Sequence, residues 1–157
     1  MPRIELRALV ALLLLWLSGL LAPALAQEPP RIGVITMEPG EIFFERFGHN
    51  AIVVADPATG RSTAYNFGYF DLDEPNFVGN FIRGSMHYWL VALPLDDDLA
   101  RYGDQGRGVG VQWLDLAPQQ ARRLADALAE NARADNARYR YDYYTSNCST
   151  KVRDAID

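Results

Sequence analysis

Short apolar segments separated by turn residues run along the chain from residue 32 onward. They predict strands over residues 32–36, with a short extension at 42–44, and over 49–55, 62–67, 86–93 and 109–116. The segment Asp56-Pro57-Ala58-Thr59-Gly60 predicts a hairpin turn between two of these strands. Tyrosines at 139, 141 and 143 alternate as a last strand. The pattern indicates a sheet whose strands mainly pair antiparallel.

Helices are predicted between some of the strands. Residues 77–83 form a short helix, residues 96–102 have the acidic first turn typical of a helix, and residues 118–132 repeat apolar side chains at helical spacing. A further helix begins after the turn residues Thr145, Ser146 and Asn147. Together these elements predict an α+β domain.

The first 26 residues have the composition of a secretory signal peptide. Arg3 and Arg7 lie around the start of an apolar core at 8–21, and Ala24-Leu25-Ala26 predicts cleavage after Ala26. The sequence therefore predicts a periplasmic or otherwise exported protein with one domain over residues 27–157. An uncleaved membrane anchor is the alternative.

The charge of the chain excludes one class of partner. Without residues 1–26, which contain two of the 15 basic and one of the 20 acidic residues, the net charge is −6. No cluster of Lys or Arg is present to neutralise phosphates, so nucleic acid is not an expected partner. With one cysteine and two histidines, neither a metal nor another cofactor is expected.

The single cysteine, Cys148, lies at the predicted start of the last helix. Backbone N–H groups at a helix start favour a thiolate and lower the thiol pKa. Upstream, His49 opens the apolar segment 49–55, and a cysteine with a histidine suffices for nucleophilic thiol catalysis. An unpaired cysteine in an exported protein indicates either an intermolecular disulfide or a free reactive thiol.

The histidine needs a partner that orients its ring. The hairpin turn at 56–60 returns the chain so that residues 65–68 run beside His49, which makes the amide oxygen of Asn66 the preferred acceptor. Asp71 is a stronger acceptor, but it falls in the loop after the strand. The choice between Asn66 and Asp71 stays open at this point.

The order of these residues is the reverse of that in papain-like enzymes, where the cysteine helix precedes the histidine strand. It resembles the circularly permuted NlpC-type proteins and the lecithin retinol acyltransferase group. Within that group the chain is similar to the periplasmic lipoprotein N-acyltransferase family of the Lnb type. The segments that carry this similarity are Phe47-Gly48-His49, residues 65–71, Tyr88-Trp89-Leu90, Tyr139-Arg140-Tyr141 and Asn147-Cys148-Ser149-Thr150.

The resemblance implies a permuted papain-like (NlpC-like) fold with the nucleophile at the N-terminus of a C-terminal helix. It also implies acyl transfer from a phospholipid, through a thioester on Cys148, to the N-terminal amine of a lipoprotein, with His49 as the base. The expected partners are a phospholipid acyl donor, a lipoprotein acceptor, and a membrane surface or downstream membrane segments.

Two other functions remain open. One is an NlpC-type cell-wall amidase or peptidase that uses the same Cys148 and His49, and the other is a non-catalytic envelope domain in which Cys148 only packs. The sequence ends soon after Cys148 without a helix-ending glycine. We therefore expect a truncated domain whose last helix is marginal and which is inactive if that helix frays.

Overall fold

The structure, a computed structural model, describes residues 28–157. The predicted signal peptide and its cleavage after Ala26 lie outside these residues. Within them, six strands form one sheet in the order β5-β1-β2-β3-β4-β6, and every neighbouring pair is antiparallel. The strands are β1 (Arg31–Met37), β2 (His49–Asp56), β3 (Arg61–Tyr69), β4 (His87–Pro94), β5 (Val109–Trp113) and β6 (Arg138–Arg140).

Four helices accompany the sheet in the described part of the chain. They are α1 (Phe77–Ile82), α2 (Leu95–Asp104), α3 (Pro118–Asn131) and α4 (Cys148–Ile156). The α+β class and the antiparallel sheet predicted from the sequence are thus confirmed. No helix among residues 28–157 is both long and apolar enough to cross a membrane.

Two local predictions were wrong. Residues 43–45 form a 3-10 turn instead of extending a strand, because the chain folds back so that Gly40 N–H donates to the Glu45 carbonyl. The tyrosine strand also ends early, at Arg140. The carboxylate of Asp142 accepts from the N–H groups of Tyr144 and Thr145, and these bonds favour a tight turn over an extended strand.

Alternation along β2 divides the core between the two faces of the sheet. Ile52 and Val54 point to the face that α3 and α4 cover, whereas Ala51 and Val53 point to the face that α2 covers. Burying one aliphatic side chain as completely as Ile52 contributes about 2 kcal/mol. Residues of β2 are therefore fixed in register, with odd-numbered side chains toward α2.

Helix α4 is short but docked. Its Val152 is buried in the same cluster as Ile52, and Ala155 and Ile156 pack against that cluster. In proteins a helix of this length draws its stability from such packing more than from its own hydrogen bonds. Helix α4 therefore has an apolar face, and this face packs the helix against the sheet.

The three connections at residues 38–48, 70–86 and 141–147 all lie at one end of the sheet. They follow β1, β3 and β6, whose carboxyl ends lie together because these strands run parallel to one another within the antiparallel sheet. His49 begins β2 at this end, and Cys148 begins α4 immediately after the last of the three connections. We call this the site end of the sheet.

Candidate active site

His49 and Asn66 lie on the same face of the sheet, the face covered by α2. Asn66 pairs with Ala51 across the β2–β3 ladder, so its side chain lies diagonally next to that of His49. Nε2 of His49 is 3.1 Å from Oδ1 of Asn66. The hairpin brings these two residues together through register alone, as the spacing from the turn at 56–60 had suggested.

The amide of Asn66 has a second partner, which sequence analysis did not find. Its Nδ2 donates to Oδ2 of Asp98 at 2.9 Å. Asn66 is 8% exposed and Asp98 only 2% exposed, so both groups are removed from water. Asp98 comes from the acidic first turn of α2, which the sequence analysis used only to predict a helix.

Cys148 is the first residue of α4, and the preceding Asn147 caps that helix. Oδ1 of Asn147 accepts from Thr150 N–H at 2.9 Å, and the Thr150 hydroxyl accepts from Asn147 N–H at 2.9 Å. This reciprocal capping fixes the first turn. Because the N–H groups of the first turn have no acceptor inside the helix, those of Cys148 and Ser149 can serve an incoming oxyanion.

Gly68 lies where the side chains of His49 and Cys148 meet. It is the irregular residue between Phe67 and Tyr69 on β3 and has φ of +107°, a conformation that other residues rarely adopt. A Cβ placed on Gly68 would be 3.8 Å from Cys148 Cβ and 3.9 Å from His49 Cε1. Gly68 thus lies within van der Waals distance of both side chains, between a helix start on one side of the sheet and a histidine on the other.

The environment of Cys148 favours the thiolate. Burial raises the pKa of the thiol, but a hydrogen bond from His49 and the charge of that ring lower it, and so do the Asn50 N–H and the Ser149 hydroxyl. The net effect lowers the pKa from its ordinary 9.0 to about 7. The sequence had suggested the helix start as the cause, whereas here the histidine is the largest lowering influence.

Two tyrosines near Cys148 remain protonated at neutral pH. Burial raises the pKa of Tyr139 and of Tyr141, and the charge of Cys148 raises both further. The hydroxyl of Tyr139 is buried and has no hydrogen-bond partner in residues 28–157. Both hydroxyls, which lie near the thiol, therefore remain protonated and can donate a hydrogen bond.

Asp71, the alternative partner for His49, is exposed in the connection after β3. Its Oδ1 accepts from Asp73 N–H at 2.9 Å, a bond within its own loop. The structure places Asn66, and not Asp71, in hydrogen-bond contact with His49. Asp71 instead lines a cleft of about 440 Å³ that reaches His49, Asn66 and Gly68 between the connection at 38–48 and α2.

One signal in the sequence could have identified Asp98. Leu95, Asp98 and Tyr102 occupy one face of α2 at spacings of three and four, and both Leu95 and Tyr102 pack on the core. A carboxylate between two core residues must be buried, and a buried carboxylate requires a polar partner. Gly68 could not be found in this way, because its φ depends on the strand irregularity.

A belt of exposed apolar side chains surrounds this site. We call it the apolar rim; it comprises Ile42, Phe43, Phe44, Phe47, Tyr69, Leu72, Val78, Phe81, Ile82, Tyr143 and Tyr144. Ring contacts join its segments: Phe44 meets Phe70 at 5.3 Å between centroids, and Phe47 meets Tyr143 at 6.1 Å. Exposed apolar surface of this kind marks a binding surface more often than chance.

Fold and site together define an α+β domain with a thiol, an imidazole and an amide clustered at one end of an antiparallel sheet. Within residues 28–157 no group of three or more His, Cys, Asp or Glu side chains could hold a metal ion. The family model for the Lnb N-terminal periplasmic domain matches residues 28–157. The chain belongs to this family, and its domain is periplasmic. No curated protein and no solved structure matches the chain significantly.

Proposed function

We propose that this protein is an Lnb-type thiol acyltransferase that moves an acyl chain from a phospholipid to the N-terminal amine of a lipoprotein. The observation that supports it best is the arrangement of Cys148, His49 and Asn66. The thiol has a pKa near 7, and the histidine beside it is held by a buried amide. The periplasmic family is consistent with substrates of the cell envelope.

In the first half-reaction the Cys148 sulfur attacks the carbonyl carbon of a phospholipid ester. The developing oxyanion would receive hydrogen bonds from the N–H groups of Cys148 and Ser149 at the start of α4. The C–O ester bond then breaks, and His49 gives its Nδ1 proton to the leaving alcohol. The products are a Cys148 thioester and a lysophospholipid.

In the second half-reaction the amine of the lipoprotein attacks the thioester carbonyl. His49 takes a proton from the amine, the C–S bond breaks, and the new bond is an amide. The sulfur leaves as a thiolate, which the protonated histidine stabilises again. Overall, an ester and an amine become an amide and an alcohol, and no other reactant is consumed.

The apolar rim favours a lipid substrate over a cell-wall peptide. Phe43, Phe47 and Ile82 are 71%, 76% and 77% exposed, and they lie on connections at the site end. Aromatic side chains are suited to the interfacial region of a bilayer. With a net charge of −6 after removal of residues 1–26, contact with a membrane would rest on these side chains and not on electrostatic attraction.

We also propose that the fold is the circularly permuted papain-like, NlpC-like arrangement. Its support is the order of the parts along the chain. The histidine begins β2, the amide follows on β3, and the cysteine begins the last described helix, which packs on the sheet. The nucleophile would then lie at the N-terminus of the C-terminal helix.

Mass spectrometry of a covalent intermediate tests the proposal. The protein as expressed is incubated with phosphatidylethanolamine vesicles, and the mass of the Cys148 peptide is measured before and after hydroxylamine. We expect an acyl adduct that hydroxylamine removes, and transfer of that chain to a lipopeptide with a diacylglyceryl cysteine. His49→Ala should show neither, whereas His87→Ala, which changes the second histidine of the sequence, should show both.

The contrary outcomes are distinct. Transfer by folded Cys148→Ser protein would rule out the thioester mechanism, because a serine hydroxyl is not ionised by this histidine at neutral pH. Cleavage of a cell-wall peptide without any acyl adduct would replace the transferase by the amidase. Neither activity, together with an unreactive thiol, would indicate a non-catalytic envelope domain.

A further inference from the structure

We propose that Asp98 is a positioning residue that holds the side-chain amide of Asn66 in the one orientation in which His49 can take the proton of Cys148. The inference rests on the proposed function in one respect, that His49 acts on Cys148. It adds a residue from α2, on the far side of the sheet from α4, to the cluster at the site end.

The buried carboxylate decides which way the Asn66 amide faces. An ionised carboxylate only accepts hydrogen bonds, so it selects the NH2 end of a neighbouring amide. Nδ2 of Asn66 is 2.9 Å from Asp98 Oδ2, and a second, longer bond of 3.5 Å runs from Nδ2 to the Ala64 carbonyl. A flipped amide would place its oxygen against a carboxylate that is 2% exposed, without water to separate them.

The orientation of the amide in turn fixes the proton on the histidine. Because Asn66 presents Oδ1 to His49, and an amide oxygen can only accept, Nε2 of His49 must carry a proton. In the neutral ring, Nδ1 is then the unprotonated nitrogen, which is free to accept from a thiol. In the charged ring, Nε2–H keeps its acceptor, so the thiolate and imidazolium pair is stabilised.

The buried position of Asp98 in α2 lowers the stability of the fold, which is expected only if the carboxylate has a function such as holding Asn66. Asp96 and Asp97, the two preceding residues, are exposed, whereas Asp98 lies between Leu95 and Tyr102 on the face toward the sheet. Desolvation makes a buried carboxylate unfavourable relative to an apolar side chain. The charged groups that face this cluster are Glu45 from the connection before β2, Asp71 from the connection after β3, Arg101 of α2 and Arg107 before β5. The titratable ones are Tyr69, Tyr102, His49 and Cys148.

The pH dependence of thiol alkylation tests the inference without any acyl substrate. Iodoacetamide labelling of Cys148 is followed from pH 5 to 10 in the wild-type protein and in Asp98→Asn. With a neutral amide at position 98, the Asn66 amide can flip, and the imidazolium loses its acceptor at Nε2. We expect the midpoint to rise by about one pH unit. Labelling at pH 7 should then slow about twofold, because a roughly fivefold lower thiolate fraction is partly offset by the greater nucleophilicity of a more basic thiolate.

Asp97→Asn is the matched control, since it removes the same charge from the same helix turn at an exposed position. Its midpoint should equal that of the wild type. The histidine itself gives a second measurement. Long-range 1H–15N spectra should assign the proton of neutral His49 to Nε2 in the wild type and divide it between both nitrogens in Asp98→Asn.

The exchanged pair, Asn66→Asp with Asp98→Asn, separates positioning from mere packing. It moves the carboxylate next to Nε2 of His49 and keeps the charge, the volume and the hydrogen bond between positions 66 and 98. The alkylation midpoint should return to the wild-type value or fall below it. If Asp98→Asn does not fold, the alkylation midpoint of this double variant tests the inference by itself.

Two results overturn the inference: an unchanged midpoint in folded Asp98→Asn protein, or an exchanged pair that is as slow as the single variant. Both are separate from a failure of the proposed function. If the alkylation midpoint rises as expected in Asp98→Asn but the wild-type protein transfers no acyl chain, the positioning role of Asp98 is supported and the proposed transferase activity is rejected.

Discussion

Asn50 donates a 2.8 Å hydrogen bond from its side-chain amide to the hydroxyl of Ser149. Asn50 follows His49 on β2, and Ser149 follows Cys148 on α4, so each partner of this bond is the chain neighbour of one of these two site residues. Because alternate residues of β2 face opposite sides, Asn50 points toward α4 while His49 points away from it. The bond therefore sets the position of the helix start relative to the strand.

A double-mutant cycle on this pair should show that the bond aligns the site. Asn50→Ala and Ser149→Ala should each destabilise the fold by about 0.5–1 kcal/mol, with a coupling energy of about 0.5 kcal/mol because they share one hydrogen bond. Each should also slow alkylation of Cys148, by a factor of about two to five, because the thiol shifts relative to His49.

Asn136→Ala is the control for that cycle. Asn136 also donates from an exposed amide, to the Glu130 side chain at 2.9 Å, but it lies in the connection after α3. Its substitution should cost a similar free energy in chemical denaturation and leave the alkylation rate unchanged. Zero coupling between positions 50 and 149 would show that the bond does not hold the helix.

The local part of the site could be predicted from sequence. The hairpin turn at 56–60 fixes the register of β2 and β3, and register alone places Asn66 beside His49. The helix start at Cys148 could likewise be predicted, because Asn147 and Thr150 are the residues that cap a helix. Both features depend on residues that are near one another along the chain.

The long-range part could not be predicted. Whether α2 brings Asp98 to Asn66 depends on which face of the sheet the helix covers, and no local pattern fixes that. The contact between Cys148 and His49 also depends on the irregular residue Gly68, whose φ follows from the pairing of β3 with β4. The apolar rim could not be predicted either, because its segments come together only when the three connections meet at the site end of the sheet.

Gly68→Ala should damage the site as well as the stability. A φ of +107° strains any residue with a Cβ, at a cost of about 1–3 kcal/mol. The added methyl would make only ordinary van der Waals contacts with Cys148 Cβ and His49 Cε1, at 3.8 and 3.9 Å, so the effect on the site comes from backbone strain at the point where these two side chains meet. We expect slower alkylation and a lower unfolding midpoint.

Gly60→Ala separates the two effects. Gly60, in the hairpin turn, has φ of +67° and no atom within 4 Å of an added Cβ. Its substitution should cost about 1–2 kcal/mol from backbone strain alone, with an unchanged alkylation rate. If the two glycine variants alkylate equally fast, Gly68 has no special place in the site.

The apolar rim should bind neutral membranes. Replacing Phe43, Phe47 and Ile82 by serine in one variant should weaken co-sedimentation with phosphatidylcholine vesicles by about tenfold or more, because three exposed apolar side chains can no longer enter the interface. Added salt should not weaken the binding of the parent protein, since the attraction is not electrostatic. The unfolding midpoint should stay near that of the parent.

Trp113→Ser is the control for the rim. Trp113 is also exposed, at 42%, but it pairs with Gly33 on β1, away from the site end of the sheet. It should bind vesicles as the parent protein does. Equal loss of vesicle binding in both variants would indicate non-specific hydrophobic adsorption. No loss of binding in the triple variant would show that the rim does not face a membrane.

The reactivity of Cys148 should depend on pH in a way that His49 determines. The wild-type alkylation rate should rise with pH up to about 7 and level off above 8, whereas an ordinary thiol keeps gaining reactivity until about 9. In His49→Ala the thiol loses the ring and its charge, while burial still acts to raise its pKa. The midpoint should therefore lie at or above 9.

At pH 7 the thiolate fraction of His49→Ala would fall about fiftyfold, from about one half to about one hundredth. A more basic thiolate is a stronger nucleophile, which over two pKa units returns roughly a factor of six to ten, so the net expectation is alkylation about sixfold slower than wild type. The rates at pH 10, where both thiols are largely ionised, should converge or reverse in favour of the variant. Iodoacetamide labelling at both pH values measures this difference, and His87→Ala should follow the wild-type curve.

A His49→Ala protein that keeps a midpoint near 7 would assign the low pKa of Cys148 to the helix start and the Asn50 N–H. The histidine would then no longer be the proposed base.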